Sequence, residues 1–521
     1  MVATLMRLHQ SKSAALIGFL GCFTVWLVFG TGVYTDDFDI FQSVTHYTAS
    51  TMLLPTRETV AFPFEHYTHT IVYWASGFGG RSNIEYFKVL YALLCVLAAF
   101  LFFRDYLNVE RALVAGFATV FLPHHDATAY SFINYYLSLS VAFYMLAVFC
   151  IKRDRWVVGA GFAAMGAFIS YGSPALTVGF CALLLLEGHS RKALAIAIPG
   201  GIYVVYYLFI AIFLKAGPPR LQQEYSLTFL FKGIVVQAIS LVDAVLGPSG
   251  WLKVGLAVAN IDFAGFAWAI GLSLLLWHSA SGRPDNTRVD ARLTISLSLV
   301  VVVALGLFVL TGRYPQIAFN LGDRVLIFAG IPVAYLIASL PRRTWALVLT
   351  AFFLFISAAG LSAHWKNWNR EQEHIIQRIH SRQIWKICPN TSDVLLVVGG
   401  QYSRLGPISH LEFFAESSAA RSIFAALGVT GKNVVTLGRR YQYESGGLFD
   451  RKYEQFTRLE RTVDVWNAET GLLSCVESAR LNDLIASLPE HTRHWLQIPA
   501  LSGFATMVFR IFPQYAYLGM R

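Results

Sequence analysis

The sequence predicts a mainly α-helical, polytopic transmembrane bundle of about eleven spans, followed by a small C-terminal extracytoplasmic α/β domain. Three observations carry this. The 521-residue chain is 55% hydrophobic and only 14% charged, with a mean hydropathy of +0.52, whereas soluble domains carry roughly a quarter charged residues. Long apolar runs recur from residue 13 to residue 363. Basic residues fall in alternate loops between those runs, as cytoplasmic loops require.

The first run, 13–33, follows Arg7 and Lys12 and is too long for a signal-peptide core, so it reads as a retained anchor. The other runs are 86–103, 112–123, 132–151, 156–171, 174–186, 193–214, 257–277, 293–311, 325–340 and 345–363. With the N-terminus inside, the inside loops hold Arg104 and Arg111; Lys152, Arg153 and Arg155; Arg191 and Lys192; Arg283, Arg288 and Arg292; Arg342 and Arg343. The short loops facing them, "HHDATAY" and "YGSP", have no Lys or Arg. The net charge of +10 is thereby spent on orienting helices, which argues against nucleic-acid binding.

Three segments lie outside the bilayer: 34–85, 215–256 and the tail from residue 364. "FLFKGIVVQAISLVDAVLG" is apolar on one side and interrupted by Lys232, Gln237 and Asp243, which suits a helix lying in the interface. In the tail, Ile375, Ile376 and Ile379 recur at helical spacing. A buried strand "DVLLVVGG", a helix "HLEFFAESSAARSIFAALG", a strand "NVVTLG" and an apolar run "ATMVFRIF" follow, an α/β pattern that places the domain boundary at 363/364. Of six cysteines, Cys388 and Cys475 fall in this external domain and are the candidate disulfide pair.

Chemistry-bearing residues collect at the external interface, while the span cores are almost free of ionisable groups, which speaks against an ion-coupled transporter or flippase. "YTDDFDIF" places Asp36, Asp37 and Asp39 directly after the first span. If a helix starts near Thr35, Asp36 and Asp39 share a face and Asp37 points elsewhere. Part of this acidity suits a helix N-terminus, but three carboxylates beside aromatic residues at a bilayer surface exceed that need. Candidate phosphate-binding groups are Arg313, Tyr314 and Arg324 in "GRYPQIAFNLGDR", with Arg57 and Arg81 in the first loop as fallbacks, because guanidinium makes forked hydrogen bonds to phosphate oxygens. Glu65 and His66 in "EHYTH" are further candidate substrate-binding residues. His124, His125 and Asp126 are candidate metal ligands, and a divalent cation is the candidate cofactor.

A first span ending in an acidic motif, a long first external loop, many further spans and a folded external tail together resemble the GT-C superfamily of integral membrane glycosyltransferases. The resemblance implies a polyprenyl-phosphate- or diphosphate-linked sugar donor and a first-loop carboxylate that acts as base or metal ligand. "DDFD" departs from the simplest Asp-Glu form of that motif and reads either as the pair Asp36 and Asp37 or as Asp-x-Asp through Asp37 and Asp39. Transfer of a sugar to a hydroxyl needs a base beside the acceptor and a cation beside the departing phosphate. Asp36 or Asp37 is the expected base of an inverting transfer. The implied partners are the lipid-linked donor and a glycan, lipid or exported-protein acceptor, in a bacterial inner membrane with the C-terminal domain periplasmic. An O-antigen ligase or polymerase is the rival enzyme, but those usually place their large external loop between late spans, where this chain has a short one.

Overall fold

The computed structural model describes residues 2–56, 59–214, 226–281, 289–311, 316–388, 393–429 and 431–489. It is mainly helical, with a small region of sheet near its C-terminal end. Among the described residues, eight helices are long and apolar enough to cross a membrane, and three shorter apolar ones, Lys12–Val28, Trp156–Ile169 and Ser173–Leu186, stand among them. Apolar residues on every face of these helices leave no polar side to hydrate, so they bury one another or face lipid.

Two expectations change. The segment Leu227–Ala259, expected at the interface, is two helices, Leu227–Val245 and Pro248–Ala259, that together qualify as a candidate span. The run at 112–123 is the 13-residue helix Val109–Phe121, buried along almost its whole length and shorter than a full span. It starts on buried Glu110 and Arg111. Glu110 accepts a hydrogen bond from Ser279 (2.8 Å), and Arg111 donates to the carbonyls of Ala338 and Pro341.

Three of the basic loops gather at one end of the bundle. Arg153 pairs with Asp105 (2.8 Å), Lys152 with Glu187 (3.0 Å) and Lys192 with Asp154 (2.7 Å). The first loop and the sheet region lie toward the other end, where short helical turns run from Asp36–Val44 through Arg81–Asn83.

The last long helix, Thr344–Ser381, runs without a break from the bundle into the sheet region, so the expected boundary at 363/364 falls inside it. It crosses Pro248–Ala259 so closely that a Cβ on Gly360 would lie 1.7 Å from the Ala257 carbonyl oxygen. Only glycine fits there. Its isoleucines Ile375, Ile376 and Ile379 are buried, as their spacing predicts.

The sheet region contains β1 (Val394–Val398), β2 (Tyr402–Leu405), β3 (Ile408–Glu412), β4 (Asn433–Thr436), β5 (Tyr441–Glu444), β6 (Gly447–Asp450), β7 (Gln455–Arg458), β8 (Thr462–Asn467) and β9 (Leu473–Glu477). The main sheet has the order β4-β1-β8-β9, with β1 parallel to both β4 and β8 and β9 antiparallel to β8. Buried on both faces, β1 reads as the continuous apolar run expected of a central parallel strand. The stretch expected to be one helix from His410 is divided: His410–Glu412 end strand β3, and the helix is only Ser417–Ala426. "ATMVFRIF" lies outside the described residues. Cys388 and Cys475 form a disulfide, with their Cα atoms 5.2 Å apart.

One apolar core joins the first loop to this region. Val33, Phe38, Phe41, Val72 and Tyr73 pack in the same cluster as Ile375, Leu395, Phe413, Phe424 and Trp466. The acidic motif is therefore seated on the C-terminal domain as much as on the bundle.

Candidate functional site

The approach to Asp36 is set by a stapled turn. Gly30 and Gly32 adopt φ of 86° and 83°, and their N–H groups donate to the Glu85 carboxylate at 2.9 and 2.6 Å. Lys88, one helical turn further on, donates to the Gly32 carbonyl (2.7 Å) and to Glu85 (3.2 Å). This buried pair holds the turn between the first helix and the acidic motif. Tyr34 then donates to the Trp365 carbonyl (3.1 Å), and Thr35 donates to the Glu412 carbonyl (3.0 Å).

The three aspartates divide as their spacing on a helix predicts. Asp37 is fully buried, accepting from the Tyr34 N–H (2.6 Å) and the Tyr73 hydroxyl. Burial pushes its carboxyl up to about 7, with the Asp36 charge adding to the effect. Asp39 is half-buried and accepts from Ser422 (2.9 Å), docking its helix on Ser417–Ala426. Asp36 is exposed.

Across from Asp36 stands a turn that the sequence reading singled out only through Arg324. Asn320, at φ 72°, donates its N–H to His410 Nδ1 (2.9 Å) and its amide to Glu412 Oε1 (2.8 Å). It opens the turn Leu321–Leu326, which carries Asp323 and Arg324. Arg324 is half-buried, donates to Asn134 (2.9 Å), and lies within electrostatic reach of Asp36, Glu412, Tyr136 and Tyr171. Glu412 is half-buried too. Burial pushes its carboxyl up to about 7, and the charges of Glu416 and Asp36 push the same way. Glu416 is paired with Arg440 (2.9 Å) and Lys452 (2.6 Å). Asp36, Arg324 and Glu412, from the first loop, a late turn and strand β3, thus lie within electrostatic reach of one another.

Other expected site residues land elsewhere. Arg57, Arg313 and Tyr314 lie outside the described residues. His66 is fully buried, with Nδ1 on Thr59 (3.1 Å) and Nε2 on the Met52 carbonyl (2.9 Å), so it pins the first loop instead of facing a ligand. Glu65 is half-buried, within electrostatic reach of Tyr73, the partner of Asp37. Arg81 pairs with Glu373 on the long helix.

The metal reading of "HHD" is corrected. Among the described residues no group of three or more His, Cys, Asp or Glu is placed to hold a metal ion. His125 bonds Thr128 (2.9 Å) and packs on Gly330, whereas the His124 ring lies beside Gly250. Burial lowers both imidazoles, to about 4 for His124 and about 3 for His125, so both are neutral. Asp126 turns away into an ion cluster, accepting from Lys253 (2.6 Å), Trp365 (2.7 Å) and His410 (3.0 Å), while Lys253 also reaches Asp323 (2.6 Å). Although burial opposes ionisation, Lys253 and His410 hold the Asp126 carboxyl well below the usual range. Because Asn320 donates to His410 Nδ1, the ring proton sits on Nε2, facing Asp126.

Sequence reasoning missed Glu412, Asn320, the Glu85–Lys88 staple and Lys253. Glu412 was hidden inside an assumed helix, and Lys253 is a single charge within an apolar run. What converges around Asp36 is an exposed carboxylate, a guanidinium and a second carboxyl near neutrality, a set able to accept a proton, bind an anion and return a proton. The sequence matches no protein-family model and no curated protein.

Proposed function

We propose that the protein is a GT-C-like membrane glycosyltransferase that moves a sugar from a polyprenyl-phosphate-linked donor to an acceptor hydroxyl on the extracytoplasmic side. The observation that carries this reading is that exposed Asp36 lies within electrostatic reach of Arg324, at the end of the bundle opposite the basic loops. Asp36 takes the acceptor proton as a single-displacement base, and Arg324 binds the phosphate that departs. Buried Asp37, tied to Tyr34 and Tyr73, holds the helix start in place. Seven of the long helices, the three shorter apolar ones and Val109–Phe121 make up a bundle of about eleven spans, with Leu227–Ala259 at its outer interface, oriented by its basic loops with the N-terminus cytoplasmic and the C-terminal domain outside. The acceptor is an envelope glycan, a lipid-linked glycan or an exported protein.

One observation favours a different reading. Lys253 lies in a candidate span between two aspartates, and buried charges in spans mark ion pathways, as in an ion-coupled flippase.

The test uses the purified protein in lipid nanodiscs with a polyprenyl-phosphate sugar, reading sugar transfer and slow donor hydrolysis. Asp36→Asn lowers turnover by about 10²–10⁴-fold, the range for losing a positioned base, and Asp37→Asn lowers it less. Undiminished turnover in Asp36→Asn removes the mechanism. In sealed proteoliposomes, lipid-linked sugar crossing the bilayer without being consumed supports the flippase.

A further inference from the structure

Glu412 belongs to strand β3 of the C-terminal domain, where it pairs with Tyr402, and it also reaches two segments outside that domain. Its main-chain carbonyl accepts from Thr35, the residue before Asp36, and its carboxyl accepts from Asn320, four residues before Arg324. Among the charged groups that act on it are Asp36 from the first loop and Glu416 and Lys452 from its own domain, and it acts in turn on Arg324. A carboxyl used only to stitch two segments together would be served by Asn320 alone. This one is hydrogen-bonded to the residue before the proposed base and to the turn that carries the proposed phosphate-binding cation, within electrostatic reach of both.

We propose that Glu412 is a second catalytic carboxyl of the site, the general acid that protonates the departing lipid phosphate. The inference rests on the glycosyltransferase reading. As the acceptor oxygen forms its bond to the anomeric carbon, its proton passes to Asp36. The bond between that carbon and the phosphate oxygen breaks, the electron pair stays on the phosphate, and the Glu412 proton follows it. The products are the glycoside and the lipid monophosphate, and transfer of the proton from Asp36 to Glu412 restores both carboxyls. The second ionisation of a phosphate monoester falls near pH 6, so a carboxyl poised near neutrality is matched to this proton. The C-terminal domain is then part of the catalytic centre.

The experiment compares wild type with Glu412→Gln, Glu412→Ala and Asp36→Asn, as full chains in nanodiscs, using a polyprenyl-monophosphate sugar. Turnover is measured from pH 5.5 to 9, and thermal melting reports the fold. Glutamine can still accept the Asn320 hydrogen bond, so Glu412→Gln is expected to melt as wild type does. Its turnover falls about 10²-fold, with the alkaline decline of the wild-type profile gone. Glu412→Ala regains part of its rate when formate is added. A Glu412→Gln rate that falls with the wild-type profile unchanged, or that does not fall while Asp36→Asn is inactive, overturns the proposal and leaves the glycosyltransferase reading standing. Full activity in Asp36→Asn removes that reading and this inference with it.

Discussion

Lys253→Met tests the joint between bundle and C-terminal domain. The ammonium is fully buried between Asp126 and Asp323, each at 2.6 Å. At an effective dielectric of about 20, the Lys253–Asp126 contact is worth roughly 6 kcal/mol of gross attraction, most of which offsets the cost of taking the charges out of water. The net value of the cluster is therefore small, but removing its central cation leaves Asp126 and Asp323 facing each other in a dry site. Breaking a buried pair in this way costs about 3–5 kcal/mol. Methionine matches the stem of lysine, so little of that is lost packing. Unfolding in detergent micelles, followed by tryptophan fluorescence, reads the loss directly. The triple change Lys253→Met, Asp126→Asn, Asp323→Asn recovers part of it, because the stranded charges go with the cation. A loss below about 1 kcal/mol for Lys253→Met alone would falsify the ion-cluster account.

Three further outcomes follow from the same geometry. Gly32→Ala places a Cβ 2.0 Å from Asn369 Oδ1 at φ 83°, so it costs roughly 1–3 kcal/mol and shifts Asp36, lowering turnover more than donor binding; the split between kcat and KM checks this. The Asp37 carboxyl, raised by burial from 3.8 to about 7, binds more protons folded than unfolded across that window, so wild-type stability falls as pH rises from about 4 to 7. Asp37→Asn removes the Asp37 share of the fall, at most roughly 4 kcal/mol, and leaves the share of Glu412, which is also raised to about 7, as unfolding measured at pH 4 and pH 8 should show; parallel pH dependences in the two proteins contradict the assignment. The Cys388–Cys475 bridge spans 87 residues, so replacing both cysteines with serine costs the C-terminal domain about 2–4 kcal/mol, read as faster proteolysis there with the bundle intact.

The architecture was legible where one physical rule dominates. Apolar runs, basic loops and the isoleucines of the long helix need only hydropathy, charge bias and a 3.6-residue period. The separation of Asp37 from Asp36 and Asp39 also follows from helical spacing alone. Three things were not legible. Leu227–Ala259 resembles an interfacial helix because Lys232, Gln237 and Asp243 interrupt it, and only packing shows Gln237 and Asp243 turned inward. "HLEFFAE" has helical composition, but pairing with β2 pulls its first residues into a strand, since tertiary partners override propensity. Arg324 could be suspected as a basic residue on the side that should lack them. Glu412 could not, because its neighbours are 92 and 376 residues away in sequence, at Asn320 and Asp36.

The unbroken Thr344–Ser381 helix, about 57 Å long at 1.5 Å per residue, acts as a strut. A stiff rod shared by two bodies does not allow them to swing apart at that junction. The first loop and strand β3, joined by the Thr35–Glu412 hydrogen bond, are thereby held in a set relation, so substrates of differing bulk are accommodated by the surrounding loops. Screening enlarged acceptors would then measure loop compliance, with the beam beneath them acting as a fixed ruler.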